Sequence, residues 1–371
     1  MIKQTIIIIL FFIKIHSICN AQNNSTWLSF RGNPALTGET SVSLATSYNL
    51  LWSHKVGTTI KSSPVIGWGS IFIGSDDGFV YSISEAGKEN WKFNTGNAIE
   101  AAPLLFDNKL YIGSLEGILF ALDAKTGKEI WKYTTEGQIM GAANIVENKQ
   151  QKSKQIIVGS YDYSLHSVDI VTGKLKWKYT SENYINGSPA ISGKNTVFGG
   201  CDGQLHVVEA TTGKLIHKID VGTYVASSCA LDGNLAFFGN YDGVFYCVDY
   251  IKRTIVWNSP GAGPFLASPA ISGNMVVIGS QDKIVYCFNK TNGNIVWKYK
   301  TLGKITASPV IAKNVVVVAS GDGRLSFVDL KTGNQGWSYE IGSPIESTPA
   351  VTQNLVVVAA NDGKVYAFGK K

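Results

Sequence analysis

The chain has 371 residues, 44% of them apolar and only 16% charged, with 39 glycines and a formal net charge of +6. That length exceeds what one hydrophobic core usually fills, so the apolar residues must be shared among several domains or among repeats. The low charge, with abundant glycine and aromatic residues, excludes a disordered or collagen-like chain and suits many short strands joined by tight turns.

Taken in chain order, residues 1–21 read as a secretory leader. Lys3 gives a basic start, Thr5 to Ile13 an apolar segment, and Cys19-Asn20-Ala21 a small-residue cleavage site before Gln22. The apolar run ends at Lys14, short of the roughly 20 residues a membrane-spanning helix needs, and no later run is longer. Cys19 offers lipidation as an alternative, against which the bulky Ile18 before it argues. Loss of Lys3 and Lys14 lowers the net charge to +4, and the remaining cations are scattered rather than gathered into the stripe that nucleic-acid binding needs. Lys149, Lys152 and Lys154 alone cluster, in an insertion that reads as a solvated loop.

From residue 64 onward the chain repeats. A turn of the form small-small-x-acid-Gly recurs with its acidic residue at 77, 116, 162, 202, 242, 282, 322 and 362, spacings of 39, 46 and then 40 throughout. Before each turn an apolar run opens, usually on proline, at Pro64, Pro103, Asn144, Pro189, Cys229, Pro269, Pro309 and Pro349. Proline at the first residue of a strand forfeits no ladder hydrogen bond. The pattern predicts four strands per unit: a from the proline, b into the acidic turn, c out of it, and d after a second turn, often Thr-Gly-Lys. Strand d carries an aromatic anchor at Trp91, Trp131, Trp177, His217, Trp257, Trp297 or Trp337, with His217 read as a packing substitution. Seven anchors serve eight turns. The missing strand d is expected at the other end, where Leu50 to Lys55 matches Ile295 to Lys300 and places Trp52 in the anchor series. The predicted fold is all-β: an eight-bladed propeller over 50–371 of four-stranded antiparallel blades, preceded by an arm at 22–49 and closed by its N-terminal strand.

The wording Asp123 to Trp131, Asp-x-x-Thr-Gly-Lys-x-x-Trp, resembles the tryptophan-docking repeat of the pyrroloquinoline-quinone (PQQ) propeller superfamily, and Phe30-Arg31-Gly32-Asn33-Pro34 is similar to the N-terminal arm of exported members. The superfamily includes quinoprotein dehydrogenases, which use PQQ and calcium, and BamB-like envelope proteins without cofactor. Adjacent cysteines, a Cys-x-x-Cys-His haem motif and room for large insertions are all missing from this sequence. The resemblance therefore implies the BamB-like branch: a noncatalytic, cofactor-free scaffold, periplasmic or outer-membrane associated, whose partner is another protein of the envelope. A degenerate quinoprotein or a carbohydrate- or small-ligand-binding propeller is the alternative.

The candidate site residues follow from the repeat. The acidic residues serve their turns, one per blade, rather than forming a catalytic group, and Asp76-Asp77-Gly78 offers too few oxygens for calcium. His54, His166, His206 and His217 fall in separate blades without zinc spacing. The residue three before each strand a is expected at the channel mouth: Lys61, Glu100, Gly141, Asn186, Ala226, Leu266, Thr306 and Glu346. Tyr161 and Tyr241 in acidic turns, with Tyr184, Tyr224 and Phe265 in the loops between blades, are expected to form an aromatic partner-binding face. Cys201 and Cys229 approach that face from neighbouring blades and could pair as a disulfide, whereas Cys247 and Cys287 are expected as unpaired core thiols.

Overall fold

The computed structural model describes residues 24–148 and 151–370, so the leader with Cys19, and Lys149, lie outside the described residues. Eight blades of four antiparallel strands surround a central axis, and the seventh carries a fifth, parallel strand from the arm. Blade 1 runs through Val65–Gly67, Ser70–Gly74, Phe79–Ser84 and Glu89–Asn94, and blades 2 to 7 repeat it up to Gln335–Glu340. Blade 8 takes strands a to c from Ala350–Val351, Val356–Ala359 and Lys364–Gly369, and its outer strand d from Asn49–Lys55 at the other end of the described chain, with Trp52 opposite Ala367. Strands b and c are buried almost throughout, whereas strand d alternates and leaves one row of side chains in solvent.

Adjacent blades are joined by one device. The indole of strand d lies over the turn between strands c and d of the next blade, and in five blades its Nε1–H donates to a carbonyl there: Trp52 to Glu85, Trp91 to Ala124, Trp131 to Ile170, Trp257 to Lys290 and Trp297 to Leu330, at 2.8–3.2 Å, whereas Trp177 donates to the Gln155 side chain of its own blade at 3.0 Å. The residue under the ring is glycine in a left-handed conformation. A Cβ on Gly87, Gly127, Gly173, Gly213, Gly293 or Gly333 would come within 2.5–2.8 Å of the facing indole. Trp52 on Gly87 is the same contact made across the ring closure. At the interface of blades 7 and 8, Trp337 instead meets Phe368 and Tyr48 of the arm.

The basic insertion departs from expectation. Instead of a loose loop it extends a hairpin of blade 3, Asn144–Asn148 against Ser153–Gly159, with Lys154 paired to Glu147 and lying over the Phe106 ring. Strand pairing satisfies backbone groups that a loop would leave to water.

The arm is more than a leader into strand d. It crosses the channel and gives main-chain carbonyls to the inner strands: Trp27 to the amide of Ile66, Leu28 to Leu105, Pro34 to Ile191, Ala35 to Leu231, Thr37 to Ile271 and Gly38 to Ile311. Glu39–Thr40 then pairs in parallel with Ile311 and Ala312. An inner strand has an open edge facing the axis, and the arm supplies the acceptors that edge lacks. Arg31, fully buried at φ 61°, donates to the carbonyls of Pro309 and Pro269 at 2.6 and 2.7 Å.

Candidate functional site: the channel mouth and its tyrosines

The acidic turns are closed by their own side chains. Asp77, Asp162, Asp202, Asp282, Asp322 and Asp362 each accept from the amide two residues on, at 3.0–3.2 Å. The second oxygen takes the residue four on, which is a tyrosine in blades 1, 6 and 8 (Tyr81, Tyr286, Tyr366) and histidine in blades 3 and 4. His166 and His206 thus sit in chains Tyr133–His166–Asp162 and Tyr179–His206–Asp202, each link about 3 Å. A carboxylate only accepts, so Nε2 carries the imidazole proton and Nδ1 takes the tyrosine hydroxyl.

Burial pushes the Asp162 carboxyl up, but the hydrogen bond and charge of His166, with the Glu136 amide and Lys178, outweigh it and hold the group below its ordinary value. Burial in turn lowers His166 despite Asp162. A depressed folded pKa means that the unfolded chain takes the proton first, so the stabilisation is complete above pH 6.5 and is lost as pH falls below it. His166→Tyr, the residue that blades 1, 6 and 8 use, should flatten the fall of the urea midpoint between pH 7 and 5. An unchanged slope would show that His166 does not contribute.

All eight residues expected at the mouth line one well of about 170 Å³, floored by Phe30 of the arm. Lys61 and Glu100 pair at 2.7 Å, Glu346 accepts from Asn361, and Thr306 from Gln281. The Glu100 hydrogen bond raises Lys61, and burial raises Asp76 beside it. Below the mouth a second ring was not anticipated. The amides of Ala142, Ser188, Ser228, Ser268, Ser308 and Thr348 each donate to a hydroxyl of the next blade, Ser188 through Thr348 and finally Ser63. Ala102 and Ala142 lack that hydroxyl, which interrupts the ring between blades 1 and 3. The signal was present in the Ser-Pro and Thr-Pro pairs that open most repeats.

The tyrosines gather on one sector of the mouth. Tyr161 stacks on Tyr184 at 4.6 Å, Tyr163 meets Tyr184 at 5.1 Å, and Tyr224 stacks on Tyr241 at 4.5 Å, all in blades 3 to 5. Tyr163, Tyr184 and Tyr241 are exposed, at 41–46%. Tyr163 was missed as a site residue. It occupies a left-handed position, φ 68°, where blade 1 has Gly78 and blade 8 Gly363, at a cost of roughly 1–2 kcal/mol. Phe265 does not belong to this face: it is fully buried against Gly239, Phe245 and Tyr286, because a side chain at that position fills the gap under the next blade.

The disulfide is also corrected. Cys201 and Cys229 are both free. Cys201 has already turned up into the acidic turn, where its Sγ lies 3.1 Å from Asn186 Oδ1 between the two tyrosine pairs. Cys229 stays below, where complete burial pushes its thiol up to about 12 against the opposing effect of a hydrogen bond with the Gly199 backbone. Cys247 and Cys287 are buried free thiols in strands c. His217 keeps the docking geometry, its Nε2 2.6 Å from the Tyr250 carbonyl.

A family model described as the beta-propeller of beta-alanine-activating enzyme matches residues 143–371, more than half of the chain. The chain belongs to this propeller family. A second model, the beta-propeller domain of glucose/ethanol/alcohol dehydrogenase, matches residues 79–201 and marks this family member as a propeller of the PQQ type. No curated protein matches by sequence. BamB from Moraxella catarrhalis superposes with a TM-score of 0.75 at 18% identity, over 87% of this chain and 100% of that one. A europium-containing methanol dehydrogenase gives 0.77 at 14% over 94% and 99%, and the quinohemoprotein alcohol dehydrogenase of Comamonas testosteroni 0.79 at 15% over 95% and 82%. At these identities the likeness is one of fold.

The well of this PQQ-type propeller does not fit the quinone. PQQ carries three carboxylates, yet the mouth presents Glu100, Glu346 and Asp76, and its one lysine is already paired. The volume of about 170 Å³ also falls below the roughly 300–1,000 Å³ of ordinary ligand pockets. Among the described residues no group of three His, Cys, Asp or Glu could hold a metal, and no helix is long and apolar enough to cross a membrane.

Proposed function

We propose that the protein is a noncatalytic scaffold of the cell envelope, and that the tyrosine arc of blades 3 to 5 is the face that holds its protein partner. The observation that carries this reading is the arc itself: five tyrosines in two stacked groups, three of them exposed, one held in a backbone conformation that costs free energy and that neighbouring repeats fill with glycine. Stacked tyrosines offer rigid apolar area with hydroxyls at the edge and lose little side-chain entropy on binding. A shallow mouth floored by Phe30 suits an edge of such an interface better than an enclosed substrate. The partner is expected to be an envelope protein, the setting in which the likeness to BamB arises.

The test uses the double variant Tyr184→Ser and Tyr241→Ser. These side chains are exposed, so the melting temperature should stay within a few degrees of wild type, while a discrete complex recovered from envelope extracts on the wild-type chain should fall by about tenfold or more, as loss of two interface anchors implies. Equal recovery on both chains would overturn the reading.

A further inference from the structure

Blade interfaces are built on an indole over a glycine, and the interface of blades 4 and 5 departs from that rule on both sides. His217 replaces the indole and Arg253, at φ 63°, replaces the glycine. Between them lies a groove of about 540 Å³. Lys194, Lys214 and Arg253 stand on its rim, and none of the three has a carboxylate within ion-pair distance among the described residues. The carboxylate of the lining, Glu209, is engaged by the Thr212 hydroxyl at 2.6 Å.

The deeper wall consists of acceptors without donors. Since the Tyr250 carbonyl can only accept, Nε2 of His217 bears the proton and Nδ1 is an acceptor. Nδ1 is buried and unpartnered, as is Oδ1 of Asn195, a residue only 7% exposed. Native structures rarely leave two such atoms in the lining of one groove without a purpose. Blades 5 and 8 place Leu235 and Leu355 where blade 4 has Asn195, so the fold does not need a polar group there. In the corresponding groove of blades 1 and 2, Trp91 is satisfied by the Ala124 carbonyl, and Lys125 is the one lysine of the lining.

We propose that this groove binds a hydroxyl-bearing phosphate ester of the glycerol phosphate or sugar phosphate class. The anionic group would meet Lys194, Lys214 and Arg253, and hydroxyls would donate to His217 Nδ1 and Asn195 Oδ1. A ligand without hydroxyls leaves the acceptors orphaned, and a neutral polyol leaves the cations unused. The same chemistry is presented by a free ester and by the headgroup of a phosphatidylglycerol bilayer.

The mature chain is titrated calorimetrically with glycerol 3-phosphate, inorganic phosphate and glycerol, and floated with phosphatidylglycerol or phosphatidylcholine vesicles. Glycerol 3-phosphate should bind about tenfold more tightly than inorganic phosphate, the size expected of hydrogen bonds made to otherwise unpaired buried groups. Asn195→Leu should bring that ratio towards one without lowering the melting temperature, and Arg253→Gly, which keeps the left-handed backbone, should weaken both anions. Flotation with phosphatidylglycerol alone, lost in Arg253→Gly, identifies the headgroup as the source; binding of the ester without flotation identifies the free ester. Ester and phosphate binding equally, with neither variant changing the result, would overturn the proposal. So would no binding in either arm.

Discussion

Deleting residues 22–55 should abolish the cooperative unfolding transition of the entire chain. The segment buries Trp27, Leu36, Val42 and Tyr48, none more than 4% exposed, and each such side chain contributes about 1.5–3 kcal/mol. Their sum, on the order of 6–12 kcal/mol, rivals the 5–15 kcal/mol that typically separates a folded domain from its unfolded state. The deletion also removes strand d of blade 8, leaves Lys364–Gly369 as an open edge, and takes the carbonyl acceptors from six inner strands. Separately, it exposes a channel now plugged by Phe30 and Arg31, whose guanidinium burial lowers to about 9 yet leaves charged at neutral pH. Thermal melts followed by circular dichroism check this. A sharp transition near the wild-type midpoint would mean that seven complete blades suffice and that the arm is ornamental.

The second large effect is expected at the docking tryptophans. Trp297→Ala removes an indole 8% exposed that lies over Gly333 and donates to Leu330, and should cost about 3–5 kcal/mol in urea denaturation. The interface of blades 4 and 5 provides the converse. His217→Trp alone should gain nothing, because Arg253 brings a Cβ to the place where Gly333 and its counterparts leave room for the ring. Combined with Arg253→Gly, the same tryptophan should stabilise the chain by about 1.5–3 kcal/mol, the value of burying a large side chain. A double-mutant cycle reads the difference directly, and additivity within about 0.5 kcal/mol would show that the two positions are independent. The same pair of changes fills the groove proposed to bind a phosphate ester, so stability and ligand binding should move in opposite directions.

Much of the architecture was legible because a propeller writes each blade with the same residues. The acidic turns at 40-residue intervals, the inner-strand prolines and the anchor series located every blade, and Trp52 located the closure. The arm was legible only as a resemblance, since its function rests on main-chain carbonyls, which leave no side-chain pattern. Counting back from strand a leads to eight residues that line one well, because the repeat fixes that position whatever residue occupies it. The burial of Phe265 was legible by the same count: it stands in register with Ile185, Val225 and Ile305, each buried over the glycine that ends a strand b, whereas Tyr224 lies one residue earlier in its loop and stacks on Tyr241 at the surface. Cys201 and Cys229 share a face in sequence terms but differ in depth, which spacing alone does not encode. The described part of the basic insertion looked like a loop because its polarity hid the continuation of an existing pair of strands, with Lys154 opposite Glu147.

If the tyrosine arc, and not the opposite face of the ring, meets the partner, crosslinking from the two faces should differ. A photoreactive residue placed at Tyr241, with a second chain carrying it at Ile251 in the turn between strands c and d on the far side of the same blade, tests this in cells. Both positions are exposed to the same degree, 46%. One discrete protein adduct is expected from position 241, lost when Tyr184→Ser is added, and none of that mass from 251. The same adduct from both positions, or one from 251 alone, would contradict it.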